Sequence, residues 1–344
     1  MAKNKNPLKG IDPEKVDLTQ FGGIKTTLFG ADPKDPENAI YNFGVGGRPG
    51  LENSPIIPDS APALYSVAPH IQGRWDGKSV ICCHDAARKV LGNDLPAQLQ
   101  PRGTCGSRTG KRAGQLIQCI LIAGGRPAKF KDVSHAFIYG ACRADYGMTG
   151  SGQNDDGVPD GGIPPTLAKY GLVTVDEAGD TNFYGQGSDD LAVKWGASRS
   201  NIPTKMFELA SDNKVEANLV KIRSFQEMMD GFASGGVGLV SSARGFTMTR
   251  DKYGMCKPSG TWYHYMAVSG GGLNKNGQKF GAIDQSWGEN TPAGPTLEDG
   301  RWPNYSFGAD DVTLERDMIL KGSFHMIFGF PLWDEDQVVD WSKI

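Results

Sequence analysis

Helical patterning in the first half of this chain gives way to strand patterning in the second. Ala113, Leu116, Ile117, Ile120 and Leu121 are spaced to share one helix face, and Gly124 and Gly125 supply the stop. A short helix fits residues 80–90, ending at Gly92, and others fit residues 133–144 and the stretch before Tyr170 and Gly171. A helix near residues 224–233 precedes three runs of strand character at 237–241, 263–269 and 280–285. Helices first and strands later predict an α+β fold.

The patterned region is expected to form one domain over residues 78–333. Residues 1–77 are rich in proline, glycine and asparagine without sustained periodicity, which predicts an extended arm, and residues 334–344 form a short tail. The 344 residues, 38% of them apolar, suffice for a domain of about 250 residues with a sizeable core.

Charge and apolar run lengths exclude several classes of partner. The formal net charge is -3, with both signs interspersed and no polybasic tract, which argues against nucleic acid and anionic membrane surfaces. No stretch approaches the ~18 consecutive apolar residues of a membrane span, and the lysines at 3 and 5 precede no apolar run of signal-peptide length. The expectation is a soluble protein made without a signal peptide, cytoplasmic in the simplest case.

Six cysteines, at 82, 83, 105, 119, 142 and 256, match neither a disulfide framework nor a spaced metal cage, so reduced thiols are expected. Cys82, Cys83 and His84 are adjacent, but without a second spaced pair they fit a buried segment better than tetrahedral ligation. Asn154, Asp155, Asp156, Gly157 and Asp160 resemble part of a calcium loop that lacks its closing glutamate, and a solvated turn is expected instead. No metal and no organic cofactor are called for.

Cys105 opens the strongest helical stretch. A helix N-terminus favours an anion, and Arg108, Lys111 and Arg112 stand in the next two turns, so this cysteine is expected to carry a lowered pKa and act as a nucleophile. Its base candidate is His264, at the start of an apolar strand. A hairpin turning within residues 270–277, with Ser269 opposite Phe280, sets His264 opposite Gln285, whose carbonyl can accept an imidazole N–H and fix the tautomer.

Three segments together resemble the papain-like cysteine peptidases: residues 100–107 around Cys105, Tyr263-His264-Tyr265-Met266-Ala267-Val268, and Gln285-Ser286-Trp287-Gly288. The order cysteine, histidine, amide is the family's, and His264 follows Cys105 at a separation near the roughly 130–150 residues expected there. The likeness covers roughly residues 78–330 and implies a two-subdomain fold, one half helical and one antiparallel. It also implies peptide or amide hydrolysis through a thioester. Cys105 would be the nucleophile, His264 the base, Gln285 the orienting amide, Trp287 the shield over that contact, and Gln100 an oxyanion donor beside the Cys105 N–H.

The chain departs from the family at several points. Gly106 replaces the tryptophan that follows the nucleophile, Gln285 replaces asparagine, and the oxyanion glutamine is displaced: Leu99 holds its usual place, flanked by Gln98 and Gln100. Residues 137–143 and the later glycine-rich loop resemble divergent members from bacteriophages and some bacteria. That implies a peptide, protein or cell-wall peptide substrate and, for a phage protein, a place in the virus particle with the arm contacting neighbouring subunits. A catalytically degenerate structural domain of a virion is the second reading, and acyl transfer or amide hydrolysis by the same residues is the third.

Overall fold

The computed structural model describes residues 40–42, 71, 73–100, 102–126, 128–148, 156–180, 186–211 and 219–329. The expected arm thus lies outside the described residues except at 40–42, 71 and 73–77, and the expected tail lies outside them altogether. A three-residue strand, β1 (Ile40–Asn42), comes first, followed by β2 (Ile81–Cys82). The helical half then supplies α1 (Cys83–Leu91), α2 (Cys105–Ala123), α3 (His135–Asp145) and α4 (Ile163–Tyr170). It continues through α5 (Val175–Ala178), α6 (Gln186–Gly196) and α7 (Thr204–Ser211). The later part includes β3 (Leu219–Lys221), α8 (Phe225–Ala233), β4 (Val237–Phe246), β5 (Pro258–Leu273), β6 (Lys279–Asp284), β7 (Ser306–Asp310) and β8 (Ser323–Ile327).

The fold is α+β. The sheet runs β3-β8-β4-β5-β6-β7 with antiparallel neighbours throughout. β1 adds in parallel beside Thr261–Tyr263 of β5, and β2 pairs antiparallel with Gly270 and Gly271. β5 is the longest strand because it serves all these partners along its length. Gly270 permits the close approach of β2: it sits at φ +137°, and a Cβ there would lie 2.0 Å from the Ile81 carbonyl oxygen.

Local chemistry sets the helix ends. Gly92, in the left-handed region at φ 76°, stops α1 with its N–H on the Arg88 carbonyl. Ser224 caps α8 by accepting the Glu227 N–H at 3.1 Å. Thr174 and Glu177 form a capping box at α5. The expected stripe of α2 is buried, but so is the rest of that helix: every residue of it except Ile122 is buried. α2 is a core helix wedged between the other helices and β4 and β5. Among the described residues no helix is long and apolar enough to cross a membrane.

The hairpin register differs from the expected one. Leu273 faces Lys279, Gly272 faces Phe280 and Ala267 faces Asp284, so Phe280 does not lie opposite Ser269. Two features cause the shift. The turn is Lys275-Asn276-Gly277, closed by Asn274 N–H on the Gln278 carbonyl, with Gly277 at φ 75°. A bulge at Ser269 and Gly270 then adds an offset between Val268 and Gly271. β6 also ends at Asp284, so Gln285 is outside the ladder that would have opposed it to His264.

Candidate active site

Cys105 is the first residue of α2, and the chain around it is tightly packed. A Cβ on Gly106 would stand 2.5 Å from Val158 Cγ2, 3.0 Å from Ile163 and 3.1 Å from the Tyr265 ring. Glycine after the nucleophile candidate is therefore what lets the 156–162 loop and β5 close on this turn. The Cys105 sulfur accepts the backbone N–H of Tyr265 at 3.4 Å. Covalent geometry then holds the sulfur within about 8 Å of the ring of His264, the residue before Tyr265.

The expected lowering of the Cys105 pKa is not what this environment produces. Complete burial pushes the thiol up to about 12, against the pull of the N–H groups of Tyr265, Gly106 and Cys105 itself. The three cations of α2 are engaged elsewhere. Arg108 Nη2 lies 3.0 Å from Asp189, Lys111 Nζ lies 2.9 Å from Asp132, and Arg112 donates to the Pro96 carbonyl at 2.6 Å. Their charges are balanced by Asp189, Asp132 and Asp284, and none of the three contributes to the shift at the sulfur.

His264 and Gln285 meet side chain to side chain. His264 Nε2 stands 2.8 Å from Gln285 Oε1, and the Gln285 amide nitrogen donates toward Met266 Sδ at 3.8 Å. A carbonyl only accepts, so Nε2 carries the ring proton and Nδ1 of the neutral imidazole holds the basic lone pair. Trp287 stacks on the His264 ring, centroids 4.5 Å apart and planes 23° from parallel. Trp262 packs edge-on against both, at 6.0 Å from His264 and 4.9 Å from Trp287. The hydrogen bond between His264 and Gln285 is thus enclosed by indole surface, where competing water is excluded.

The segment carrying Gln285 also fixes the residues ahead of Cys105. Gln100 N–H donates to the Ser286 carbonyl at 2.9 Å, Leu99 and Trp287 form an antiparallel bridge, and Gly288 N–H donates to the Gln98 carbonyl at 2.8 Å. Gln100 is fully buried. Its Oε1 accepts the Ser286 hydroxyl, and its Nε2 donates one N–H to the Arg102 carbonyl at 3.3 Å, which leaves the second N–H of that amide. Gln98 is committed instead to the Arg108 carbonyl at 3.2 Å. Ser286 went unassigned in the sequence although it lies inside the Gln285-to-Gly288 segment.

Two buried polar networks brace this constellation, and sequence patterning revealed neither. Below α2, Asp189 accepts the Thr104 hydroxyl at 2.7 Å and pairs with Arg108, while His135 bonds the Ser107 hydroxyl at 3.2 Å through Nδ1. Burial raises the Asp189 pKa to about 6 and drives that of His135 well down. On the β side, Asp284 accepts the Ser269 and Ser306 hydroxyls at 2.8 and 2.7 Å and faces His84 Nε2 at 2.9 Å. These partners hold Asp284 below the usual carboxylate range despite its burial. Asp284 precedes Gln285 directly, so the network anchors the strand end from which the orienting amide projects.

The other sequence candidates resolve separately. Cys82 Sγ donates to the Arg301 carbonyl at 3.2 Å, Cys83 Sγ to the Gly236 carbonyl at 3.9 Å, and His84 to Asp284, so the three diverge. All six cysteines are buried, and none is joined in a disulfide. Asn154 and Asp155 lie outside the described residues, and Asp156 is engaged by Arg102 Nε at 2.7 Å. Among the described residues no group of three or more His, Cys, Asp or Glu is placed to hold a metal ion.

No family model matches the chain, and no curated protein matches it. Solved structures do resemble it. Xylellain, a cysteine protease from Xylella fastidiosa, aligns with 14% identity and a TM-score of 0.49, covering 73% of this chain and 85% of that one. A procathepsin B from Trypanosoma congolense aligns with 10% identity and a TM-score of 0.49 over 75% and 78%. The bromelain protease of Ananas comosus aligns with 13% identity and a TM-score of 0.41 over 72% and 97%.

Proposed function

We propose that this chain is a papain-like cysteine peptidase that hydrolyses peptide bonds through a Cys105 thioester. The observation that carries the reading is the junction at Tyr265. Its N–H meets the Cys105 sulfur, and the residue before it, His264, has its Nε2 held by Gln285 under Trp287. Cys105 is the nucleophile, His264 the base, and Gln285 and Trp287 position the ring. In acylation the Sγ proton passes to His264 Nδ1 while sulfur bonds the scissile carbonyl carbon. The oxyanion is received by the Cys105 N–H at the start of α2 and the second Nε2–H of Gln100. As the C–N bond breaks, His264 returns the proton to the leaving amine. Water, deprotonated at the same Nδ1, then cleaves the thioester and restores the thiol.

The high thiol pKa makes this a base-assisted attack rather than one by a standing thiolate, because burial penalises a lone anion at Cys105. The same burial favours a second reading, a domain that keeps the constellation as scaffold without turnover. The test compares wild type with Cys105→Ala on a peptide library and on cell-wall peptides, together with labelling by an epoxide probe. Cleavage and labelling by the wild type alone, with equal circular dichroism for both proteins, supports the peptidase. Their absence in the wild type leaves the scaffold reading.

A further inference from the structure

The wall beside Cys105 carries a carboxylate to which the proposed chemistry gives no task. The 156–162 loop wraps the start of α2: a side chain on Gly103 would strike Asp156, and Gly106 lies against Val158. The loop then crosses to the β half at two points. Tyr265 donates its hydroxyl to the Pro159 carbonyl at 3.1 Å, and Ser241 donates its hydroxyl to Asp160 Oδ1. Ser241 is the ladder partner of Tyr265, the residue whose N–H meets the sulfur. Facing Cα atoms in such a ladder are about 4.5–5.5 Å apart, so the Asp160 carboxylate lies within roughly 15 Å of the Cys105 sulfur.

Asp160 differs from other acids of the helical half. Asp156 is paired with Arg102, Asp132 with Lys111, Asp145 with Lys169 and Asp189 with Arg108. Asp160 has Ser241 and the Gly161 N–H, and among the described residues no lysine or arginine pairs with it. It is exposed to solvent, yet the surrounding protein dehydrates it enough to raise its pKa. An exposed carboxylate with no cation of its own, on the loop that wraps the start of α2, is open to pairing with a ligand cation.

The side of the cleft follows from strand geometry. Adjacent residues of a strand point to opposite faces, so Tyr265 and its partner Ser241 face away from the His264 ring. His264 must face the leaving amine to protonate it, so Asp160 lies toward the acyl half of the substrate. An extended peptide advances about 3.3 Å per residue, and a lysine or arginine side chain adds about 6 Å, so a basic side chain one to three residues before the scissile bond reaches Asp160.

We propose that Asp160 selects a lysine or arginine on the acyl side of the scissile bond, so that the substrates are basic peptides. This rests on the peptidase reading above. The test measures kcat/KM on fluorogenic peptides with Lys, Arg, Leu or Glu at each of the acyl-side positions, using the full chain and its Asp160→Asn and Asp160→Lys variants. Asparagine can still accept the Ser241 hydroxyl, and thermal unfolding checks both variants. The wild type is expected to favour Lys or Arg over Leu by 10-fold or more at one position. That ratio should fall toward unity in Asp160→Asn and shift toward Glu in Asp160→Lys. Cleavage with a flat charge profile, or a ratio unchanged in both variants, overturns the role of Asp160 while leaving the peptidase intact. A wild type that neither cleaves any peptide nor takes an epoxide label overturns the peptidase reading, and the selection with it.

Discussion

His264 and Gln285 are joined through Nε2 and Oε1 at 2.8 Å even though no strand pairing sets them opposite each other. The β5–β6 pairing stops at Asp284, while the Gln285 N–H goes on to the Tyr305 carbonyl at 3.0 Å beyond the β7 end, so the Gln285 side chain reaches His264 without being its ladder partner. Gln285→Ala should lower kcat by about 10²-fold with little change in KM, because the ring then loses its fixed tautomer and orientation. Gln285→Asn should retain intermediate activity. Equal kcat in wild type and the alanine variant would remove the amide from the mechanism.

Thiol reactivity distinguishes base assistance from a standing thiolate. A thiol held at about 12 by burial is almost wholly protonated at neutral pH, so alkylation of Cys105 by iodoacetamide depends on His264 as proton acceptor. His264→Ala should slow labelling of Cys105 by 10-fold or more, with the residual rate rising about tenfold per pH unit. Mass spectrometry after brief exposure reads all six thiols at once, and a Cys105 rate indifferent to His264 would contradict the pairing.

Gly106 is a packing requirement. Gly106→Ala drives a methyl into Val158 and should cost about 1–3 kcal/mol, read as a lower Tm. Gly110→Ala meets Ile138 at 3.2 Å and Ile163 at 3.4 Å, looser contacts than those at Gly106, and should cost less. Similar Tm losses for the two would mean that the 156–162 loop yields easily.

Acid stability should carry the mark of His325. Burial and the nearby Lys221 charge hold its pKa at about 3 against a usual 6.5. Between those values the unfolded chain binds a proton that the folded chain refuses, so stability is present above about 6.5 and is lost as pH falls toward 3. Over that window the loss attributable to this residue is a few kcal/mol. His325→Gln should flatten the acid limb of an unfolding midpoint plotted against pH, and an unchanged limb would assign acid lability elsewhere.

The parts of the site that were legible in sequence are those set by short motifs. Cys105 before an apolar stripe, His264 on an apolar strand and the run from Gln285 to Gly288 each bear a local signal. The hairpin register was not legible, because the bulge at Ser269 and Gly270 depends on β2 docking there, an event nearly two hundred residues away in sequence. Nor was the fate of the α2 cations, since their partners Asp189, Asp132 and Asp284 come from distant elements. α6 begins with Gln186, Gly187, Ser188, Asp189 and Asp190, a start with no apolar stripe, and the short strands β3, β7 and β8 are defined by their ladder partners more than by their own residues.

The buried pair of Arg108 and Asp189 ties the nucleophile's helix to α6 at a cost. Both side chains are removed from solvent, and Asp189 also accepts the hydroxyl of Thr104, the residue before Cys105, while Arg108 Nε donates to the same hydroxyl oxygen at 3.3 Å. Asp189→Asn leaves the guanidinium buried without a counter-charge and should destabilise the fold by about 3–5 kcal/mol. Removing both charges together, as Arg108→Met with Asp189→Leu, removes the desolvation cost of both ions and should recover much of that loss. Activity should not recover with it, because Thr104 then lacks the carboxylate that fixes the turn from which Cys105 emerges. Chemical denaturation of Asp189→Asn and of the double variant, alongside kcat on one peptide, separates the outcomes. A double variant that regains both stability and turnover would make the pair a packing accident; regained stability with kcat still depressed would make it a positioning device for the nucleophile.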